Sequence, residues 1–224
     1  MYPFVKTLGS FFKARLIGLV LACAMLALIA AGGLVAGLAW LAGRLVSLEV
    51  AWLDRLLPWG VGVLAGVGGW FLLPSLTVLV AGLFQEAAIR RVERVYYPGA
   101  GPGEKLKFWP EFWHDVRFTV GAVLLNLVVL PLYVFGIGLV ISILLNSYLL
   151  GREFFETAAG YHIGKAKARV LGWRHRRAVY GGGLIITLIT LLPVLNLFVP
   201  LFAVVWMVHV YHRIRQTLPA NDYT

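Results

Sequence analysis

The sequence predicts an all-α polytopic membrane protein with two long transmembrane helices and two half-penetrating (re-entrant) helical hairpins. Three observations predict it. The 224 residues are 60% hydrophobic and 13% charged, where ordinary soluble domains are about 45–50% apolar and about 25% charged. Two runs, Leu16–Trp40 and Gly60–Phe84, carry no charged residue. Two further apolar stretches, Gly121–Leu150 and Gly181–Tyr211, are each broken at the middle by a turn sequence. The polar stretches are short, so residues 1–224 form a single membrane domain with no separate soluble domain.

Taken in order, Tyr2–Phe12 mixes apolar positions with Lys6 and reads as an interfacial helix. The first span, 16–40, is long enough to cross with some tilt, and Lys13, Arg15, Trp40 and Arg44 flank it as interface anchors do. Cys23 lies inside it. As the single cysteine it excludes an internal disulfide and reads as a small core residue. Leu45–Pro58 is amphipathic and reads as a surface segment. The second span, 60–84, contains Pro74, which predicts a kink. Its helical pattern continues as an extension to residue 97, through Glu86, Arg90, Arg91, Glu93 and Arg94, until Pro98–Gly103 ends it.

The first hairpin, 118–150, turns around Pro131, Gly136 and Gly138. A basic linker, 152–177, follows. The second hairpin, 181–211, turns between Pro193 and Pro200. A helical arm of about 12–16 residues reaches roughly 18–24 Å, short of a hydrocarbon core of about 30 Å. That keeps each turn within the membrane. Broken backbone at that depth survives only when buried in protein or lining a water-filled cavity, so the hairpins are the strongest pointer to function.

The net charge is +10. No nucleic-acid recognition motif accompanies it, so the basic residues are read as topogenic and no nucleic-acid partner is expected. Eighteen of the twenty Lys and Arg fall before the first span, after the second, between the hairpins or at the C-terminus. By the positive-inside rule both termini and the large polar loops are cytoplasmic.

The hairpin turns also carry a family likeness. Leu132–Val140 followed by Leu149-Leu150-Gly151-Arg152-Glu153-Phe154-Phe155, and Leu192–Leu201 leading to Tyr211-His212-Arg213, resemble the bacterial CysZ-type sulfate permease family, which shares a domain with the etoposide-induced membrane proteins. Leu83–Pro98 and the order of elements are similar too. The likeness implies a bacterial inner-membrane permease or channel for a small inorganic anion, sulfate or a related oxyanion. It would feed cysteine biosynthesis as a dimer or larger homo-oligomer in the lipid bilayer. Better-known members carry a Gly-Leu/Ile-Arg-Arg motif at the start of the first span; here that place reads Phe12-Lys13-Ala14-Arg15-Leu16.

Several residues have both a functional and a plainer reading. Lys13 and Arg15, before a helix N-terminus that attracts anions, form an anion site or topogenic anchors. Glu86 and Arg90, four apart, form a pore-mouth network or a solvated helix face. Asn126, Asn146 and Asn196 line a polar path or cap broken helices. Gly33 with Gly37, and Gly62 with Gly66, have the spacing of close helix packing. His209 and His212, with His162 or His175, lack a cysteine or carboxylate cluster, so no metal is predicted. No catalytic triad, zinc-protease or nucleotide fingerprint is present, so neither an enzyme nor a cofactor is expected, and transport would be passive or ion-coupled. The rival reading is a non-transporting scaffold or regulator that acts through its basic linker.

Overall fold

A computed structural model describes residues 2–45, 60, 80, 82–101, 108–192, 195 and 198–218. Most of the second span, with Gly62, Gly66 and Pro74, lies outside the described residues, as do Pro193 and Asn196. Every regular element among the described residues is helical: α1 (Tyr2–Lys13), α2 (Ile17–Leu45), α3 (residues 82–96), α4 (Phe108–Val129), α5 (Gly138–Ile163), α6 (Lys165–Arg174), α7 (Arg176–Thr190) and α8 (Val199–Thr217). Three are long and apolar enough to cross a membrane, over Ile17–Leu38, Phe112–Tyr133 and Gly138–Ile163.

The chain divides into two compact units, residues 18–84 and residues 1–17 with 85–224. In the first, α2 buries a narrow stripe of Leu19, Cys23, Ala27 and Ala31, each four residues from the last, and exposes Leu21, Met25, Leu28, Ile29 and Trp40. A narrow buried stripe, small from Cys23 onward, with large apolar side chains outside it suits a helix that faces lipid over most of its surface. Gly33 and Gly37 are exposed, with no described atom within 4 Å of where a Cβ would sit.

The second unit is built around α5, which packs along α7 and against α6 and α8, while α1 lies on α8. The α5–α7 crossing is set by two glycines. A Cβ on Gly183 would fall 1.9 Å from the Ser147 carbonyl oxygen, and one on Gly151 would fall 2.7 Å from that of Val179. Only residues without a side chain let the two backbones approach this closely.

The first predicted turn is a single turn of 3₁₀ helix, Leu130–Tyr133, with Pro131 at its start, followed by Gly136 at φ 74°. Gly138 then begins α5 so close to the returning chain that a Cβ would lie 2.5 Å from the Tyr133 nitrogen. The arms, however, are longer than expected. α4 has 22 residues and α5 has 26, about 33 and 39 Å at 1.5 Å per residue. Charged residues end the apolar pattern at Arg117 and Arg152 but do not end the helices, which continue with polar and aromatic faces. The argument from short arms therefore does not hold for this hairpin. The basic linker is likewise helical rather than extended: the end of α5, then α6 after Gly164 at φ 76°, then the start of α7. In the second hairpin α7, with 15 residues, has the expected short length, but α8, with 19, is longer than expected.

Candidate functional site

Polar side chains gather at two places in the unit centred on α5. The first surrounds Glu93. On α3, Ala88, Ile89, Val92 and Glu93 form one buried face, whereas Glu86, Arg90, Arg91 and Arg94 are exposed. The helical repeat thus puts a carboxylate where its neighbours are apolar. His162, near the end of α5, and His212 of α8 both donate from Nε2 to Glu93 Oε1, at 2.6 and 2.7 Å. The side chains of all three are nearly buried, at 6–7% exposure. Burial alone would raise the Glu93 carboxyl, but hydrogen bonds from His162 and His212, with the charge on those rings, hold it below its ordinary value.

A second network touches the first through Tyr97, whose ring stacks on His212 with centroids 3.9 Å apart. The Ser10 hydroxyl donates to the Lys6 carbonyl oxygen at 2.8 Å, so it accepts from His209 Nε2 at 2.9 Å. His209 Nδ1 then accepts from the Tyr97 hydroxyl at 2.8 Å. These bonds tie α1 and α8 to Tyr97, the residue just after α3.

The other cluster lies where α4, α5, α6 and α7 meet. Glu156 accepts from Arg152 Nε and from His114 Nε2, each at 2.6 Å, and Lys165 bonds Asp115 at 2.6 Å. Beside Glu156 is a cavity of about 640 Å³ lined by Arg152, Arg169, Arg176, Arg177, Trp173 and Tyr180. A neighbouring cavity of about 540 Å³ shares Arg152 and Arg169 and adds Arg117. Glu156 is the one carboxylate along these walls among the described residues, and it is already paired twice. The cavities thus have several arginines along walls that are mostly apolar and aromatic, with Arg176 over the Trp173 ring and Arg152 over that of Phe118.

The residues singled out in the sequence are dispersed. Lys13 and Arg15 sit at the exposed end of α1, with Arg15 at φ 51°, and the Arg15 carbonyl oxygen accepts from Arg91 Nη1 at 3.2 Å. Glu86 and Arg90 pair at 2.8 Å with both side chains largely in solvent. Arg90 also lies over the Tyr161 ring. Asn126 bonds the Ala122 carbonyl of its own helix and faces a cavity with Thr119 and Glu153. Asn146 bonds the Ser142 carbonyl. Pro131, Gly136 and Gly138 lie in the first turn, and Pro200 in the first turn of α8. None of these residues belongs to the Glu93 cluster or lines the arginine cavity. His212 does meet His162, and the carboxylate that the histidine pattern lacked is Glu93, hidden on the buried face of α3. The spacing of Ala88, Ile89, Val92 and Tyr96 around it is the signal that finds it.

Helices of this length and apolarity, with broad apolar surface left open, define a multi-pass membrane protein. The chain belongs to the family described as Sulfate transporter CysZ/Etoposide-induced protein 2.4, which it matches over residues 3–200. No curated protein and no solved structure matches it.

Proposed function

We propose that this protein is an anion permease of the bacterial inner membrane, passive or ion-coupled, that admits sulfate or a related oxyanion for sulfur assimilation. The observation that carries this reading is the arginine-lined cavity between α5, α6 and α7. Family membership supports sulfate or a related oxyanion as the cargo. Arg169, Arg176 and Arg177 reach the cavity from two short helices, and their charge is not cancelled by its single, already paired carboxylate. In this reading the cavity is the cytoplasmic mouth of the path, both termini are cytoplasmic, and the second hairpin is re-entrant, which the 15-residue α7 supports although α8 has 19 residues. The protein acts as a homo-oligomer. Lys13 and Arg15, exposed and outside the cavity lining, would concentrate the anion rather than bind it in the cavity, and the solvent-exposed Glu86–Arg90 pair would take no part.

The test is uptake of radiolabelled sulfate by proteoliposomes. Wild-type protein should exceed empty vesicles. A charge-assisted hydrogen bond is worth about 1.5–3 kcal/mol, so Arg169→Gln with Arg176→Gln should lower uptake about tenfold or more. Uptake no greater than that of empty vesicles, or unchanged in the variant, would remove the reading and leave the basic linker as a scaffold surface.

A further inference from the structure

We propose that Glu93, His162 and His212 form a binding site for a divalent transition metal of the zinc class, tying α3, α5 and α8 together. Two imidazole nitrogens and one carboxylate oxygen are a donor set suited to zinc. They come from three separate helices, and their ligand atoms all lie within 4.8 Å of one another. The three side chains are almost fully buried.

Charge is the physical reason to look beyond a hydrogen-bonded strut. A buried carboxylate is costly unless a cation compensates it. No Lys or Arg is paired with Glu93 among the described residues; its partners are two histidine rings. A bound divalent cation would compensate the buried carboxylate directly.

The present spacing needs only a small adjustment. Tetrahedral bonds of about 2.0–2.1 Å place donor atoms roughly 3.3 Å apart, whereas the two N···O separations are 2.6 and 2.7 Å. Binding would require the side chains to rotate until those two contacts open by about 0.6–0.7 Å. For the ion to enter, each ring proton now shared with Oε1 must leave Nε2, so that the ligating tautomer carries its proton on Nδ1. The fourth position would be taken by water. Tyr97, stacked on His212, and Tyr211, stacked on His162, brace the rings from outside. Ser10 and Tyr97 occupy both ring nitrogens of His209, which therefore stays outside the donor set.

The test uses full-length protein in detergent, stripped by a chelator and titrated with Co²⁺, then with Zn²⁺ as competitor. One Co²⁺ per chain is expected, with the visible bands of a low-coordinate nitrogen and oxygen site, displaced by Zn²⁺. His162→Ala, His212→Ala and the near-isosteric Glu93→Gln should each weaken binding by more than the roughly 10–100-fold that outer-shell changes cost. His175→Ala should not. Absence of stoichiometric Co²⁺ on the wild-type protein overturns the proposal, and so does binding that survives in the His162→Ala/His212→Ala double variant. The wild-type titration is decisive even if a variant fails to fold. Neither readout depends on sulfate uptake, so the permease reading stands or falls separately.

Discussion

Replacing Gly183 with alanine isolates the contact that sets the distance between α5 and α7. The added Cβ would lie 1.9 Å from the Ser147 carbonyl oxygen, 2.7 Å from Gly151 Cα and 2.8 Å from Gly151 N. All three are backbone atoms, so no side chain can swing aside. Raising the shortest distance from 1.9 Å to the 3.0 Å below which real Cβ contacts essentially do not occur means opening the crossing by about 1 Å. Overpacking costs about 1–3 kcal/mol, and a rigid obstacle belongs at the upper end. Alanine returns about 0.5–1 kcal/mol of helix propensity. The net loss is about 2 kcal/mol, a fall in Tm of about 4–8 °C for a chain of this size.

Thermal unfolding of purified protein in detergent measures this loss, and Gly181→Ala is the internal control. It lies on the same helix, is exposed, and has no described atom within 4 Å of its Cβ position. That variant should match or slightly exceed wild type. If Gly183→Ala melts with Gly181→Ala, the glycine crossing does not hold these helices together and the packing argument is wrong.

Other substitutions test separate parts of the structure by the same melting assay. Arg152→Gln removes one of two partners from the buried Glu156; breaking such a pair costs about 3–5 kcal/mol, and the remaining His114 bond puts the loss near the lower end. Adding Glu156→Gln should recover most of it, because the uncompensated charge is then gone. Gly136→Ala forces a side chain into φ 74° and should cost about 1–2 kcal/mol. Glu86→Ala should leave both Tm and sulfate uptake at wild-type values, since its ion pair with Arg90 is largely in solvent.

The sequence made the helical breaks legible because proline and glycine act locally. Pro131 cannot continue α4, and Gly136 supplies a positive φ, whatever surrounds them. The first span was equally plain, since an uncharged run of that length has no soluble alternative. Arm length was misread because hydropathy marks where a helix becomes polar, not where it ends. α5 runs from Gly138 through Arg152 and Glu156 to Ile163 without a break. The polar clusters were harder still. Glu93 and His212 are 119 residues apart, and nothing local distinguishes Glu93 from Glu86 except the burial stripe of its own helix. Gly151 escaped for the same reason, and the run Gly181-Gly182-Gly183 does not by itself show which of its glycines meets a distant helix.

That crossing also ties packing to transport. Tyr148 and Arg152 on α5, and Val179 and Tyr180 on α7, line the arginine cavity within about one helical turn of Gly151 and Gly183. An opening of about 1 Å at the glycines therefore widens the cavity wall as well as loosening the core. Gly136 is 16 residues from Arg152, about 24 Å along a helical path, so Gly136→Ala can destabilise the turn without moving the arginines. Compared under conditions where both variants stay folded, Gly183→Ala should lose sulfate uptake while Gly136→Ala keeps it. Equal losses from the two would mean that uptake follows stability alone, and would place the cavity outside the path of the anion.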